Sequence, residues 1–250
     1  MTEAFLSVNI NMKKFFKFLV KTLATVFVIL IITATCFCGY YGILGYKEYK
    51  NAIKETPIET KISEITSRDN FVKKDDLSQT YINAVIAVED HNFYNHGAIS
   101  FSSLTRAIVT NFRKKELVMG GSTITQQVAK NLYFTQEKTL TRKVAEMFMA
   151  IELEKHYDKD EIFEFYVNNI FFGSGYYCIY DASIGYYGVE PKSLTDEQAT
   201  ILAGVPNAPS VYSPDNNTYL TIERQHQVID CMIKRGYLTK EQGEDLKIKQ

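Results

Sequence analysis

The chain has 250 residues, 46% of them hydrophobic and 23% charged, with a net charge of -1. That balance suits one good core plus an accessory segment and excludes a disordered chain. It also argues against nucleic acid as a partner, because basic residues neither dominate nor gather in a recognised binding module.

The charge is unevenly spread. Lys13, Lys14, Lys17 and Lys21 stand near the start with only Glu3 against them, and no charged residue occurs from Thr22 to Tyr46. As a helix rising about 1.5 Å per residue, that run crosses an apolar bilayer core of about 30 Å. Residues 22–46 therefore read as a transmembrane helix behind a basic tail over residues 1–21, and the run is longer than the apolar region of a signal peptide. The more basic N-terminal flank places the tail in the cytoplasm and the rest of the chain outside. Residues 47–76 are polar and mixed in charge. They are expected to form a stalk, with a short strand through Ile58 to Ile65.

Residues 77–250 carry dense helical signals and little strand-like alternation, so a mainly α domain is expected. Ser78 caps a helix whose apolar positions Ile82, Val85 and Ile86 are followed at helical spacing by Glu89, before a turn from His91 to Gly97. Ser100 or Ser102 opens the next helix, with Leu104, Ala107 and Ile108 on one side and Arg106 off it. Phe112, Leu117, Val118 and Met119, beside Arg113, Lys114 and Lys115, are candidates for dipping into a membrane interface. Gly120-Gly121-Ser122-Thr123 then leads into a helix with Ile124, Val128 and Leu132 as its buried row and Thr123 with Gln126 as a capping box. A longer helix over residues 141–157 has Val144, Phe148 and Ile151 as its expected core row, with Arg142 and Glu146 one turn apart. Asp158 or Asp160 caps another, stopped by Gly173 and Gly175, and two more are expected over Thr195–Gly204 and Thr218–Arg235.

Three stretches carry chemistry. Glu89 extends an apolar row into a polar turn, where partial desolvation would make it a better proton acceptor; the ordinary alternative is a helix-end ion pair. Asp90, His91 and His96 suit hydrogen bonding and capping better than metal ligation, since no third or fourth ligand stands at suitable spacing, and no metal is assigned. The stretch from Gly120 to Asn131 offers the unpaired N–H groups of a helix start to an anion, with Lys130 two turns on. It lacks the Gly-Lys-Ser/Thr ending of a nucleotide-binding loop, and without a ligand it is an ordinary capped helix. Arg142-Lys143-Val144-Ala145-Glu146 puts a guanidinium and a second carboxylate on one face, which alone is a solvated ion pair worth a few tenths of a kcal/mol. Of the cysteines, Cys36 and Cys38 lie in the span, and Cys178 and Cys231 lie outside it without metal-ligand spacing.

The order of these three stretches, with the literal run GGSTITQQVAKN, resembles the family 51 glycosyltransferases. These are peptidoglycan polymerases found as monofunctional enzymes and as the first domain of bifunctional penicillin-binding proteins. The similarity continues through Glu164 to Gly173 and Ile201 to Pro209. It implies a lysozyme-like α-helical domain with a small membrane-associated jaw subdomain, acting on lipid II and the growing lipid-linked glycan at the outer face of a bacterial cytoplasmic membrane. Other cell-wall synthesis proteins, penicillin-binding proteins among them, are the implied partners. Glu89 matches the catalytic base of an inverting reaction that forms β-1,4 glycan and releases undecaprenyl diphosphate. Arg106, Lys130 and Arg142 match cationic positions, and Lys138 stands where a basic residue is expected. Ser122, Gln126 and Gln127 match substrate-contacting positions. Glu146 matches a second glutamate that orients these groups or a divalent cation, magnesium or manganese; no organic cofactor is implied.

Two positions depart from the family pattern. Ser100 stands where an aspartate is common, and Ala145 where some relatives carry a lysine, which would remove one positive charge near the diphosphate. Two rival functions share some of these features: a lytic transglycosylase that cleaves peptidoglycan, and an inactive cell-wall assembly scaffold. Cleavage needs an acid but no diphosphate site, and both glutamates are present, so synthesis is favoured over either. No Ser-x-x-Lys or Lys-Thr-Gly occurs, so no transpeptidase chemistry is expected of these residues.

Overall fold

The computed structural model describes residues 2–105, 120–135, 137–216 and 218–248, with side chains from Phe15 onward. Among these residues all regular structure is helical, as the periodicity predicts. Helix α1 runs unbroken over Thr2–Glu55, a length of about 80 Å at 1.5 Å per residue. Its part from Phe15 is long and apolar enough to cross a membrane. Side chains such as Phe27, Leu30 and Ile43 are exposed along it, and a helix apolar on every side is one that is buried in a protein interior or a membrane.

The segment expected as a stalk differs from that expectation. Its first residues continue α1 without a break, and a helix, α2 (Ile58–Thr66), replaces the expected strand. Ile58, Ile62 and Ile65 recur at spacings of four and three, which places all three on one buried helical face; this period outweighs the local β-branched content. The chain beyond is clamped to the domain. Val72 N donates to Asn168 Oδ1 at 2.9 Å while Asn168 Nδ2 donates to Val72 O at 2.7 Å.

Helix α3 (Gln79–Glu89) begins where Ser78 accepts a hydrogen bond from Tyr81 N, and Tyr81, Ala84 and Val85 are wholly buried in the core. Next come α4 (Ile124–Tyr133), α5 (Leu140–His156) and α6 (Lys159–Val167). They are followed by α7 (Ile179–Tyr187), α8 (Asp196–Gly204) and the single-turn α9 (Pro209–Tyr212). Last are α10 (Thr218–Arg235) and α11 (Lys240–Leu246). Helix α3 packs on α8 and α10, α4 packs on α5 and α6, and α1 lies along α5. The Thr123–Gln126 capping box forms as predicted, and of the two candidate caps of α6 it is Asp158 that serves, in a box with Glu161.

Helix α6 stops at Val167, earlier than Gly173, because Asn168 caps its end with the amide that clamps Val72. Gly173 instead shapes the following turn: its φ is +88° and an added Cβ would lie 2.8 Å from Ser213 Cβ, so only glycine fits. Cys178 and Cys231 are unbonded, and burial pushes the Cys178 thiol up to about 11.

The expected core row of α5 faces another way. Ala145, Glu146, Met149, Ala150 and Leu153 are the buried residues of this helix, whereas Val144 and Phe148 turn to α1. The cause is a close helix crossing: a Cβ added at Gly45 would lie 2.6 Å from Val144 Cβ. Just beyond it, the rings of Tyr46 and Tyr49 stand 5.3 and 5.9 Å from that of Phe148. The predicted interfacial residues Phe112, Leu117, Val118 and Met119, and Arg106, lie outside the described residues.

Candidate active site

Glu89 is the last residue of α3. A carboxylate there meets the negative end of the helix dipole, so local electrostatics disfavour it. A local rule broken without structural gain marks a functional position. Compensation comes from α4, where Gln127 Nε2 donates to Glu89 Oε2 at 2.8 Å. Both residues border a cleft of about 380 Å³ that Ser122, Lys130, Glu146 and Arg224 also line.

The turn after Glu89 is stitched to the start of α4. Asp90 is buried, with Oδ1 2.6 Å from His96 Nε2, and its Oδ2 accepts from Ile124 N at 3.2 Å. Thr123 Oγ1 donates to Ala98 O at 2.7 Å. Asp90 thus satisfies one of the orphan N–H groups of α4, fixing the helix that carries Gln127 against the helix that ends in Glu89.

The far wall is cationic. Glu146 is buried between two cations, in contact with Arg142 and accepting from Lys143 Nζ at 2.9 Å. Lys143 Nζ also donates to Ser122 Oγ at 2.6 Å, tying α5 to the loop before α4. Arg142 keeps a buried Nε without a partner among the described residues. Lys130 is half-buried; burial is the main cause holding its ammonium below the ordinary lysine value, with Arg142 and Lys143 adding to it against the opposing pull of Glu146 and Glu89. Three cations against one buried carboxylate leave this wall positive. Because both Glu146 oxygens already hold cationic partners, the donor set suits an anion here and does not fit a divalent cation. No group of three or more His, Cys, Asp or Glu residues able to hold a metal stands together among the described residues.

The structure brings Glu89, Ser122, Gln126, Gln127, Lys130 and Glu146 to one cleft, with Arg142 reaching it through Glu146. Gln126 is largely committed to its cap, since its Oε1 accepts from Thr123 N at 3.0 Å. Lys138 is exposed in the loop before α5 and does not line the cleft. Ser100 takes the capping role expected of it, accepting from Ser103 N at 3.2 Å. Ala145 is fully buried in the core, with its backbone N close to Gly45 of α1. Lys143 and Arg224 also line the cleft, although neither was singled out from the sequence. Lys143 lay within a recognised motif, but α10, which carries Arg224, held no motif. Arg224 is anchored by Nε donating to Gly204 O at 3.2 Å. Beyond Gln127 and Lys130 the cleft continues past Asn131 to Phe171 and Tyr177, whose ring centroids are 4.7 Å apart.

Residues 56–233 match the family described as Transglycosylase. Penicillin-binding protein 1A of Aquifex aeolicus is 41% identical over 175 residues, covering 70% of this chain and 24% of that protein. Penicillin-binding protein 2D of Bacillus subtilis is 40% identical over 176 residues, covering 70% and 26% respectively. The chain thus spans about a quarter of the length of these two relatives. A monofunctional glycosyltransferase of Staphylococcus saprophyticus is 38% identical over 192 residues, covering 74% of this chain and 71% of that one.

Proposed function

The chain belongs to the transglycosylase family, and from that premise we propose that it is a membrane-anchored peptidoglycan glycosyltransferase. It polymerises lipid II into β-1,4-linked glycan and releases undecaprenyl diphosphate. One observation carries this proposal: a carboxylate held by an amide donor faces a wall of excess positive charge across a single cleft.

Gln127 occupies Oε2 of Glu89, leaving Oε1 to take the proton from the acceptor's 4-hydroxyl as that oxygen attacks C1 of the donor sugar. The bond from C1 to the diphosphate oxygen breaks on the opposite face, so the configuration inverts. Negative charge grows on the diphosphate in the transition state. Lys130, Lys143 and Arg142 are already in place to meet it, and preorganised charge of this kind needs no rearrangement during the reaction. No step runs through a metal. The aromatic end at Phe171 and Tyr177 supplies an apolar face for a sugar ring. In this setting α1 spans the bacterial cytoplasmic membrane, with its basic end inside and the helical domain outside, beside other cell-wall synthesis proteins.

Purified full-length protein is to be incubated with lipid II and, separately, with finished glycan. Polymer from the first and no fragments from the second is the expected result; fragments without polymer would establish the lytic alternative. Glu89→Gln should lower polymer formation at least 100-fold, in line with loss of a general base, while circular dichroism shows an unchanged fold. A variant as active as the wild type would remove Glu89 from the mechanism.

A further inference from the structure

Helix α5 has two working edges. Arg142, Lys143 and Glu146 belong to the cationic wall. On the adjoining face Leu140, Met147 and Ile151 join Phe37, Tyr41 and Gly42 of α1 around a second groove of about 290 Å³. We propose that this groove takes the first isoprene units of the polyprenyl chain of the lipid-linked donor, while the donor's diphosphate rests on the cationic edge of the same helix. This assignment deepens the proposed function and rests on it.

The walls are the first ground. They offer a ligand almost no hydrogen-bonding group, so they exclude polar groups and reward hydrocarbon. Place is the second. One wall is the helix long and apolar enough to cross a membrane, so the groove opens where hydrocarbon chains are. The third is the wedge between the helices. At Gly45 the two helices touch, an added Cβ falling 2.6 Å from Val144, whereas at Gly42 an added Cβ meets nothing within 4 Å. The contact at Gly45 therefore gives way, about one turn nearer the start of α1, to the open space of the groove. Charge is the fourth. The cationic wall and the apolar groove adjoin on one helix, Lys143 standing one turn from both Leu140 and Met147, and so fit an amphiphile with an anionic diphosphate head and a single apolar chain.

The test compares KM for lipid II bearing its eleven-isoprene chain with KM for an analogue bearing a two-carbon chain in place of the isoprenes, using the protein in nanodiscs. Gly42→Leu projects into the groove from a position where an added Cβ meets nothing within 4 Å, and its thermal melt checks folding. In the wild type the short-chain KM should exceed the long-chain KM by about tenfold, and in Gly42→Leu that ratio should fall toward one. An unchanged ratio in the variant overturns the proposal. So does an equal rise of both KM values, which would assign the groove to a bilayer acyl chain. Independently, undecaprenyl diphosphate carrying a photoreactive group on its proximal isoprenes should crosslink to peptides containing residues 37–42 and 140–151; adducts confined elsewhere also overturn it. Should the wild type make no polymer from either substrate, the glycosyltransferase reading falls, while the crosslinking still decides the groove.

Discussion

Lys130 shows how much one side chain is asked to do. Its ammonium is depressed chiefly by burial, with two neighbouring cations adding to it, so the unfolded chain binds that proton more tightly than the folded one. Stability is therefore reduced at low pH and recovers as pH rises through the folded value toward the ordinary lysine value. Under the proposed mechanism activity should run in the opposite direction, since there the charged form meets the leaving diphosphate. The alkaline limb of kcat/KM is expected to begin below the pH at which an ordinary lysine titrates, over the same interval in which the melting temperature of the wild type gains on that of Lys130→Met. Coincident pH profiles for the two proteins would remove Lys130 from both roles. The residue types of the site were legible as Glu89, Lys130 and the Arg142–Glu146 pair. Lys143 escaped because a lysine beside an arginine reads as solvated surface. Only the packing of α4 against α5 brings Ser122 within 2.6 Å of it.

At the scale of elements, the start of α4 is the hinge of the site. Its capping box, the Asp90 bond to Ile124 N and the Thr123 bond to Ala98 O converge within two residues. Thr123→Ala removes a cap and a buried bond together, and should cost about 1–2 kcal/mol. Chemical denaturation measures that loss, and kcat should fall more than KM rises because Gln127 loses its register on Glu89. Most helix starts were readable from capping residues, which act through local geometry. The face of α5 was not. Val144, Phe148 and Ile151 have the spacing of a core row, and nothing local distinguishes a row that meets the domain's interior from one that meets another helix 100 residues earlier in the chain. The same holds for α2, whose isoleucines satisfy strand propensity and helical periodicity together until the buried face decides between them.

Across the described residues, α1 and the helical domain pack against each other. Gly45→Val should force α1 off α5, since even a Cβ there overlaps Val144, at a cost of about 1–3 kcal/mol typical of overpacking. Thermal melts in detergent should show a drop of several degrees. An unchanged melting temperature would mean that the two helices are not in contact. The unbroken course of α1 through Tyr46 to Glu55 leaves no joint between the bilayer and the cleft. With α1 held in a membrane, the domain keeps rotation about the membrane normal and lateral drift but loses free tumbling. Encounters with the proposed lipid-borne substrate then occur in two dimensions and are governed by molecules per unit of membrane area. Adding inert phospholipid at constant bulk concentrations of protein and substrate should therefore slow the reaction in proportion to surface dilution, whereas an enzyme meeting its substrate from solution would be indifferent to it.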